Sequence, residues 1–186
     1  CDSLEQCVVN SETLLSQTRI KKESQQYYVK KINEFNLDFL KSQLDSLAIN
    51  TISYDDELYP TLLKEIEFPP LVLYSYGHKE LLSKPKIAVV GPRDMTEYGE
   101  QACRFFSTEL SPELTIVSGL ALGIDAIAHQ SALDKYGNTI AVLGCGVDIV
   151  YPKKNIDLYD EIKRDGLLIS EYPPGTQPNQ YFFPQR

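Results

Sequence analysis

A chain of 186 residues with 42% hydrophobic and 24% charged residues has room for one α/β domain and a smaller attachment, and its composition excludes wholesale disorder. No apolar run approaches the roughly 20 residues that cross a bilayer, and no basic-then-apolar leader opens the chain, so no membrane partner is expected. The net charge is −8, with 9 basic and 13 acidic residues in each of the stretches 1–84 and 85–186. This excludes capture of a polyanion by the field of the whole chain, and any nucleic-acid site must be a local basic patch.

Residues 1–48 place apolar residues three and four apart (Leu14, Leu15; Tyr27, Tyr28, Ile32; Phe35, Leu37, Leu40, Leu44, Leu47), which predicts a small helical N-terminal region with its clearest helix over 36–47. A second domain is expected over 49–186. Its connector, 49–84, reads as a strand over 49–54, a turn at Asp55–Pro60, a helical turn over 61–66 and a strand over 71–77 that ends in glycine. From Lys86 strand and helix alternate. Ile87–Val90 is a continuous apolar run, the pattern of a strand buried on both faces. A helix over 98–110 follows, with Ala102, Phe105, Phe106 and Leu110 on one side. The next strand, 115–117, leads to a helix over 124–136 stopped by Gly137. A strand over 139–143, a helix over 155–164 closed by Gly166, and a strand over 167–169 complete the series. Short loops between alternating elements predict a Rossmann-like three-layer α/β fold with a mostly parallel sheet and right-handed crossovers. The chain opens on Cys1 and stops after an aromatic run, so it is expected to be a fragment truncated at its C-terminus.

Every strand of that series ends in small or polar residues: Gly91, Ser118-Gly119, Gly144 and Gly146, Ser170-Glu171. Such ends line the carboxyl edge of a parallel sheet, where open α/β folds bind ligands and glycine lets backbone amides approach a phosphate. Neither GxGxxG nor a Walker A loop is present, which argues against a dehydrogenase or an NTPase. The densest signal is Ser118–Asp125 followed by His129: Ser118, Gly119 and Gly123 are candidate phosphate contacts at the start of a helix. Asp125 is either an N-terminal cap or a ligand contact. Asp125 and His129 are four apart on one helix face and are expected to form a structural pair, no nucleophile standing beside them. Arg93 is the cation of this edge, suited to bidentate phosphate contact. Lys153, with Lys154, precedes the third helix of the series and is either a solvated pair or a phosphate contact. Arg186 follows Tyr181, Phe182 and Phe183, which serve either base stacking or core packing. Glu171 binds a ribose hydroxyl or a metal, or caps a turn. The four cysteines (Cys1, Cys7, Cys103, Cys145) show no pairing pattern and the histidines are only two (His78, His129), so free thiols in a reducing cytoplasm, no metal and no cofactor are expected.

In order along the chain, these residues resemble the DNA-processing protein A family, DprA or Smf. The similarity runs through Tyr59-Pro60, Pro69–Tyr74 and Gly77, then Val89-Val90-Gly91-Pro92-Arg93 with Tyr98-Gly99. It continues through the string Ser118–Asp125 with His129, Thr139–Gly146, Tyr151-Pro152, Ser170-Glu171 and Phe183-Pro184-Gln185-Arg186. The resemblance implies an extended Rossmann domain over 49–186 that binds single-stranded DNA, protects incoming strands in natural transformation and helps load RecA in recombination. It implies no enzymatic activity, a cytoplasmic location and a homodimer when full length. By motif position, Arg93, the loop 118–123, Lys153 and Arg186 are the DNA-contacting candidates. Two departures stand out. Pro92 replaces the family's serine, and Leu122 stands where many relatives carry lysine. The alternative function is a small-nucleotide sensor or nucleotide-processing enzyme using the same loop.

Overall fold

The structure, a computed structural model, describes residues 21–34 and 36–186, in two compact units divided after Leu44. The first contains α1 (Lys22–Glu34) and most of α2 (Leu37–Ser46). Asn36 caps α2, its side-chain oxygen accepting from the Phe39 amide at 2.9 Å. The helix read over 36–47 is therefore α2 with its cap. Leu14, Leu15 and Phe35 lie outside the described residues.

The second unit is built on a six-stranded sheet in the order β1-β2-β6-β5-β4-β3. Its strands are β1 (Asn50–Ser53), β2 (Val72–Gly77), β3 (Lys86–Ala88), β4 (Thr115–Ser118), β5 (Thr139–Val142) and β6 (Leu167–Ser170). Strands β3 to β6 are parallel, while β2 runs antiparallel to β6 and β1 to β2. The short α3 (Thr61–Lys64) joins β1 to β2. The parallel strands are linked by α4 (Glu97–Leu110), α5 (Ile124–Leu133) and α6 (Ile156–Asp165). Because the strands step across the sheet in chain order, right-handed crossovers set these helices side by side on one face. There Cys103, Ile116, Ile124, Ala128 and Ala132 form one buried cluster. The opposite face buries Ile52, Leu73, Ile140, Leu167 and Ile169 with Leu81 and Leu82 of the 3-10 turn Lys79–Ser83. Beside them an apolar cleft of about 340 Å³ remains between the sheet and Leu62, Ile66 and Phe68. Among the described residues no helix is long and apolar enough to cross a membrane.

Three expectations from the sequence are corrected. The apolar run Ile87–Val90 is not buried on both faces: among the described residues β3 is an edge strand, and Ile87 is 37% and Val90 74% exposed. A run of apolar residues reports low polarity, and whether a neighbour covers it is decided elsewhere in the chain. On α4 the side turned inward carries Cys103 and Ser107, while Phe105 and Phe106 are 62% and 57% exposed. Helix α5 ends at Leu133, and the left-handed residue after it is Tyr136 at φ 55. Gly137 is small for a different reason, since a Cβ there would lie 2.6 Å from Ser111.

The two faces of α4 give a stability test. Ile116→Ala, beneath α4 and α5, is expected to cost about 2–5 kcal/mol, and Phe106→Ala less than about 0.5 kcal/mol. Urea unfolding followed by circular dichroism measures both, and equal losses would contradict the exposed aromatic face.

Candidate functional site

The parallel strands bring their carboxyl ends to one edge, and the loop 119–123 between β4 and α5 is its centre. Leu120 is completely buried in a left-handed conformation, φ 55, so the loop is wound inward rather than spread toward solvent. Its amide donates to His129 Nε2 at 3.3 Å. On the other side of the ring, His129 Nδ1 lies 2.7 Å from Thr139 Oγ1, whose hydroxyl donates to the Ile116 carbonyl at 2.9 Å. With the threonine proton committed to Ile116, the oxygen accepts from Nδ1, which assigns a neutral ring protonated at Nδ1. Burial, and then the nearby positive charge of Arg186, push the His129 pKa down to about 3.

Asp125 does not pair with His129 as the four-residue spacing suggested. Its Oδ2 accepts from the amides of Gly119 at 3.2 Å and Ala121 at 3.4 Å. The i, i+4 spacing places both side chains on one face of α5, but the first turn looks onto the loop and the next turn onto β5. Asn155, which the sequence suggested only as a helix start, reaches across to the carbonyls of Leu120 at 3.0 Å and Ala121 at 3.3 Å. Its residue type was the one available signal. In the sequence Thr139 is marked only as the start of a predicted strand and of the stretch Thr139–Gly146.

Arg186 closes the edge. Its Nη1 donates to the carbonyls of Gly119 at 2.5 Å and Val142 at 3.0 Å, and its Nη2 lies 3.9 Å from Asp125 Oδ2. The short α7 (Phe182–Gln185) carries it there. Tyr172 stacks on Phe182 with centroids 4.2 Å apart, and Tyr151 on Phe183 at 5.4 Å. The guanidinium groups of Arg93 and Arg186 lie 5.8 Å and 5.6 Å from the Phe183 ring centroid.

The expected phosphate contacts are thus held by the chain itself. Ser118 donates its hydroxyl to the Val89 carbonyl at 2.7 Å. The Gly119 amide serves Asp125, and a Cβ at Gly119 would lie 2.3 Å from Arg186 Nη2. Gly123 adopts φ +82, with a Cβ position 2.4 Å from the Pro92 carbonyl oxygen, and that same oxygen accepts the amide of Ile124 at 3.3 Å. The carbonyl of Pro92 therefore occupies part of the N-terminus of α5. Gly91 abuts the Ile124 side chain, Gly144 the Phe183 ring, and Gly146 the Asp148 carboxylate and Pro173 carbonyl. Glu171 is half-buried at the end of β6; after burial, its charge contributes to pushing the Tyr172 hydroxyl up to about 12.

Two predicted contacts remain open to a ligand. Arg93 is exposed, and its guanidinium lies over the Phe183 ring with no hydrogen bond or ion pair among the described residues. Lys153 stands exposed with Lys154 in a 3-10 turn directly after Pro152. A niche of about 70 Å³ lies between Arg93, Leu122, Tyr151, Phe183 and Arg186. It adjoins a broader cleft of about 570 Å³ lined by Gly91, Ser118, Asp125 and Pro184. Burial pushes the Cys145 thiol up to about 11 and raises that of Cys103, so neither is a ready nucleophile. Among the described residues no group of three or more His, Cys, Asp or Glu side chains could hold a metal ion. The edge thus sets exposed cations beside an aromatic ring.

The family model for DNA recombination-mediator protein A matches residues 50–186. The DNA processing protein DprA of Streptococcus pneumoniae is 47% identical over 152 residues, covering 82% of this chain and 54% of that protein. An X-ray structure of S. pneumoniae DprA superposes with a TM-score of 0.83 at 37% identity, over 94% of this chain and 60% of that one. The Helicobacter pylori DNA processing protein A, described for its single-stranded DNA binding mode, gives 0.64 at 34% identity, over 73% of this chain and 60% of that one. This chain spans about half the length of S. pneumoniae DprA.

The His129 network sets a pH dependence. The histidine takes up a proton near 6.5 in the unfolded chain and near 3 in the fold. The unfolded state therefore binds more protons between these values, and the stability held above about pH 6.5 is lost as pH falls toward about 3. A slope of up to about 1.4 kcal/mol per pH unit is expected between about pH 6 and 5, above most carboxylate titration. Denaturant midpoints against pH measure it; a flat profile there, or one unchanged in His129→Gln, would contradict the neutral ring.

Proposed function

The chain belongs to the DNA recombination-mediator protein A family, and on that premise we propose that it binds single-stranded DNA, protecting incoming strands and passing them to RecA in natural transformation and recombination. The observation that carries this reading is Arg93. It is the exposed cation at the carboxyl edge of a parallel sheet, its guanidinium free of hydrogen bonds among the described residues and backed by the Phe183 ring. A guanidinium so placed offers paired N–H groups to a phosphate. The niche at its side suits a small group such as one phosphate, and Lys153 continues the positive surface past Tyr151 and Pro152. Exposed aromatic surface on Tyr151 and Tyr181, 39% and 68% exposed, offers sequence-tolerant stacking to unpaired bases. The H. pylori relative, described by its single-stranded DNA binding mode, supports the same assignment.

The reading is of a binding protein rather than an enzyme. His129 spends both ring nitrogens inside the fold, and the buried thiols are held protonated. Hand-over to RecA, homodimer formation and a cytoplasmic location belong to the same proposal for the full-length protein.

Fluorescence anisotropy of the full-length protein with labelled oligothymidylate is expected to show micromolar or tighter, salt-sensitive binding. Arg93→Ala is expected to weaken it on the order of tenfold. No anisotropy change at low salt, or an Arg93→Ala variant that binds like the parent, would sink the proposal. Thermal stabilisation by mononucleotides with no response to oligonucleotides would move the assignment to a small-nucleotide sensor.

A further inference from the structure

Motif position makes Arg186 a DNA contact, but its surroundings describe a different role. Its side chain is 17% exposed and that of Asp125 8%. The guanidinium points into the edge, donating to one carbonyl at the end of β5 and another in the loop 119–123. Gly119 is gripped at both ends of the residue: its amide donates to Asp125 and its carbonyl accepts from Arg186. A side chain at 119 would collide with the guanidinium itself. Arg186 Nη1 is therefore committed to two backbone carbonyls and Nη2 faces Asp125, whereas the guanidinium of Arg93 has no hydrogen bond among the described residues.

Phe183 extends the effect to Arg93. The ring is held by Tyr151 on one side and packs over Gly144, where a Cβ would lie 2.8 Å from its edge. Arg93 and Arg186 both lie over this ring. One short segment thus fixes the loop through Arg186 and supports the exposed guanidinium through Phe183.

We propose that Arg186 is a positioning residue for single-stranded DNA binding: it locks the loop 119–123 and the platform under Arg93 without touching the phosphate. This rests on the DNA-binding reading above. The role differs in kind from that of Arg93, and counterion release separates the two. Each phosphate neutralised on a single strand adds about 0.7 to the slope of log affinity against log salt. A cation that touches phosphate takes that increment with it when removed, whereas a cation that only shapes the site does not.

The experiment measures oligothymidylate affinity across a salt series for the full-length parent and its Arg93→Ala, Arg186→Ala and Arg186→Lys variants, with amide hydrogen exchange on the same proteins without DNA. Arg93→Ala is expected to lower the slope by about 0.7 and leave exchange at Gly119 and Ala121 unchanged. Arg186→Ala is expected to weaken binding on the order of tenfold at constant slope and to speed exchange at both amides. Arg186→Lys keeps the charge and most of the volume but lacks the planar fork, so it is expected to bind and exchange like the alanine variant; it serves alone if the alanine variant does not fold. Three results overturn the proposal: a slope lowered by about 0.7 in the Arg186 variants, full rescue of affinity by lysine, or unchanged exchange at Gly119 and Ala121. A parent that binds no oligonucleotide sinks the DNA reading instead, and that outcome is visible before any variant is made.

Discussion

The carboxyl edge depends on one pairing of buried charges around a single residue. Asp125 and Arg186 are both almost removed from water, and their nearest charged atoms are 3.9 Å apart, too far for a tight ion pair. Each is satisfied chiefly by backbone: the carboxylate by two amides, the guanidinium by two carbonyls. A buried charge left without such partners is among the costliest features a fold can hold. The backbone between them is therefore not free to choose another path. Burial works against the charged guanidinium, and the neighbouring Arg93 adds to that, while Asp125 opposes both. Removing either charge leaves its own backbone partners, two amides or two carbonyls, without the group that satisfies them.

This arrangement changes the meaning of the glycines that mark the edge. Glycine after a parallel strand allows close approach, but it does not say what approaches. Here the neighbours are the chain's own: Ile124 at Gly91, Arg186 at Gly119, Pro92 and Arg93 at Gly123, Phe183 at Gly144. Each small residue lets the connections after the strands and the final helical turn press together at the end of the sheet. The glycines thus build a rigid edge, and the exposed side chains on that edge are left to meet a ligand.

The alternation of strand and helix was legible because it is local. Periodicity and punctuation placed β4, β5 and β6 to within a residue or two, and the run of crossovers implied the parallel order. The errors fall where a long-range partner decides. Nothing in Ile87–Val90 reveals that β3 has β4 on one side only, and nothing in α4 reveals that Phe105 and Phe106 face outward. The Asp125–His129 pair failed for the same reason: spacing along a helix states which side chains share a face, while the loop amides and Thr139 that claim them arrive from other elements. At the site, residue type identified Arg93, Lys153 and Arg186 as the cations of the edge. Only the fold separates the two that face solvent from the one that faces inward.

That separation also bears on the charge of the chain. A net charge of −8 opposes a polyanion only as far as the field reaches, and at physiological salt it is largely screened beyond about 8 Å. On the proposed reading, what a phosphate meets at contact is the local set: a guanidinium with free donors, an aromatic ring behind it and a lysine turn beside it. Leu122 adds no charge to this set, which on the proposed reading leaves more of the contact to Arg93. The half-buried Arg186 adds its positive charge beside the niche while its Nη1 is held by backbone carbonyls. On the proposed reading, an acidic protein holds a nucleic acid at such an edge because salt screens the net charge at a distance while the exposed cations act at contact.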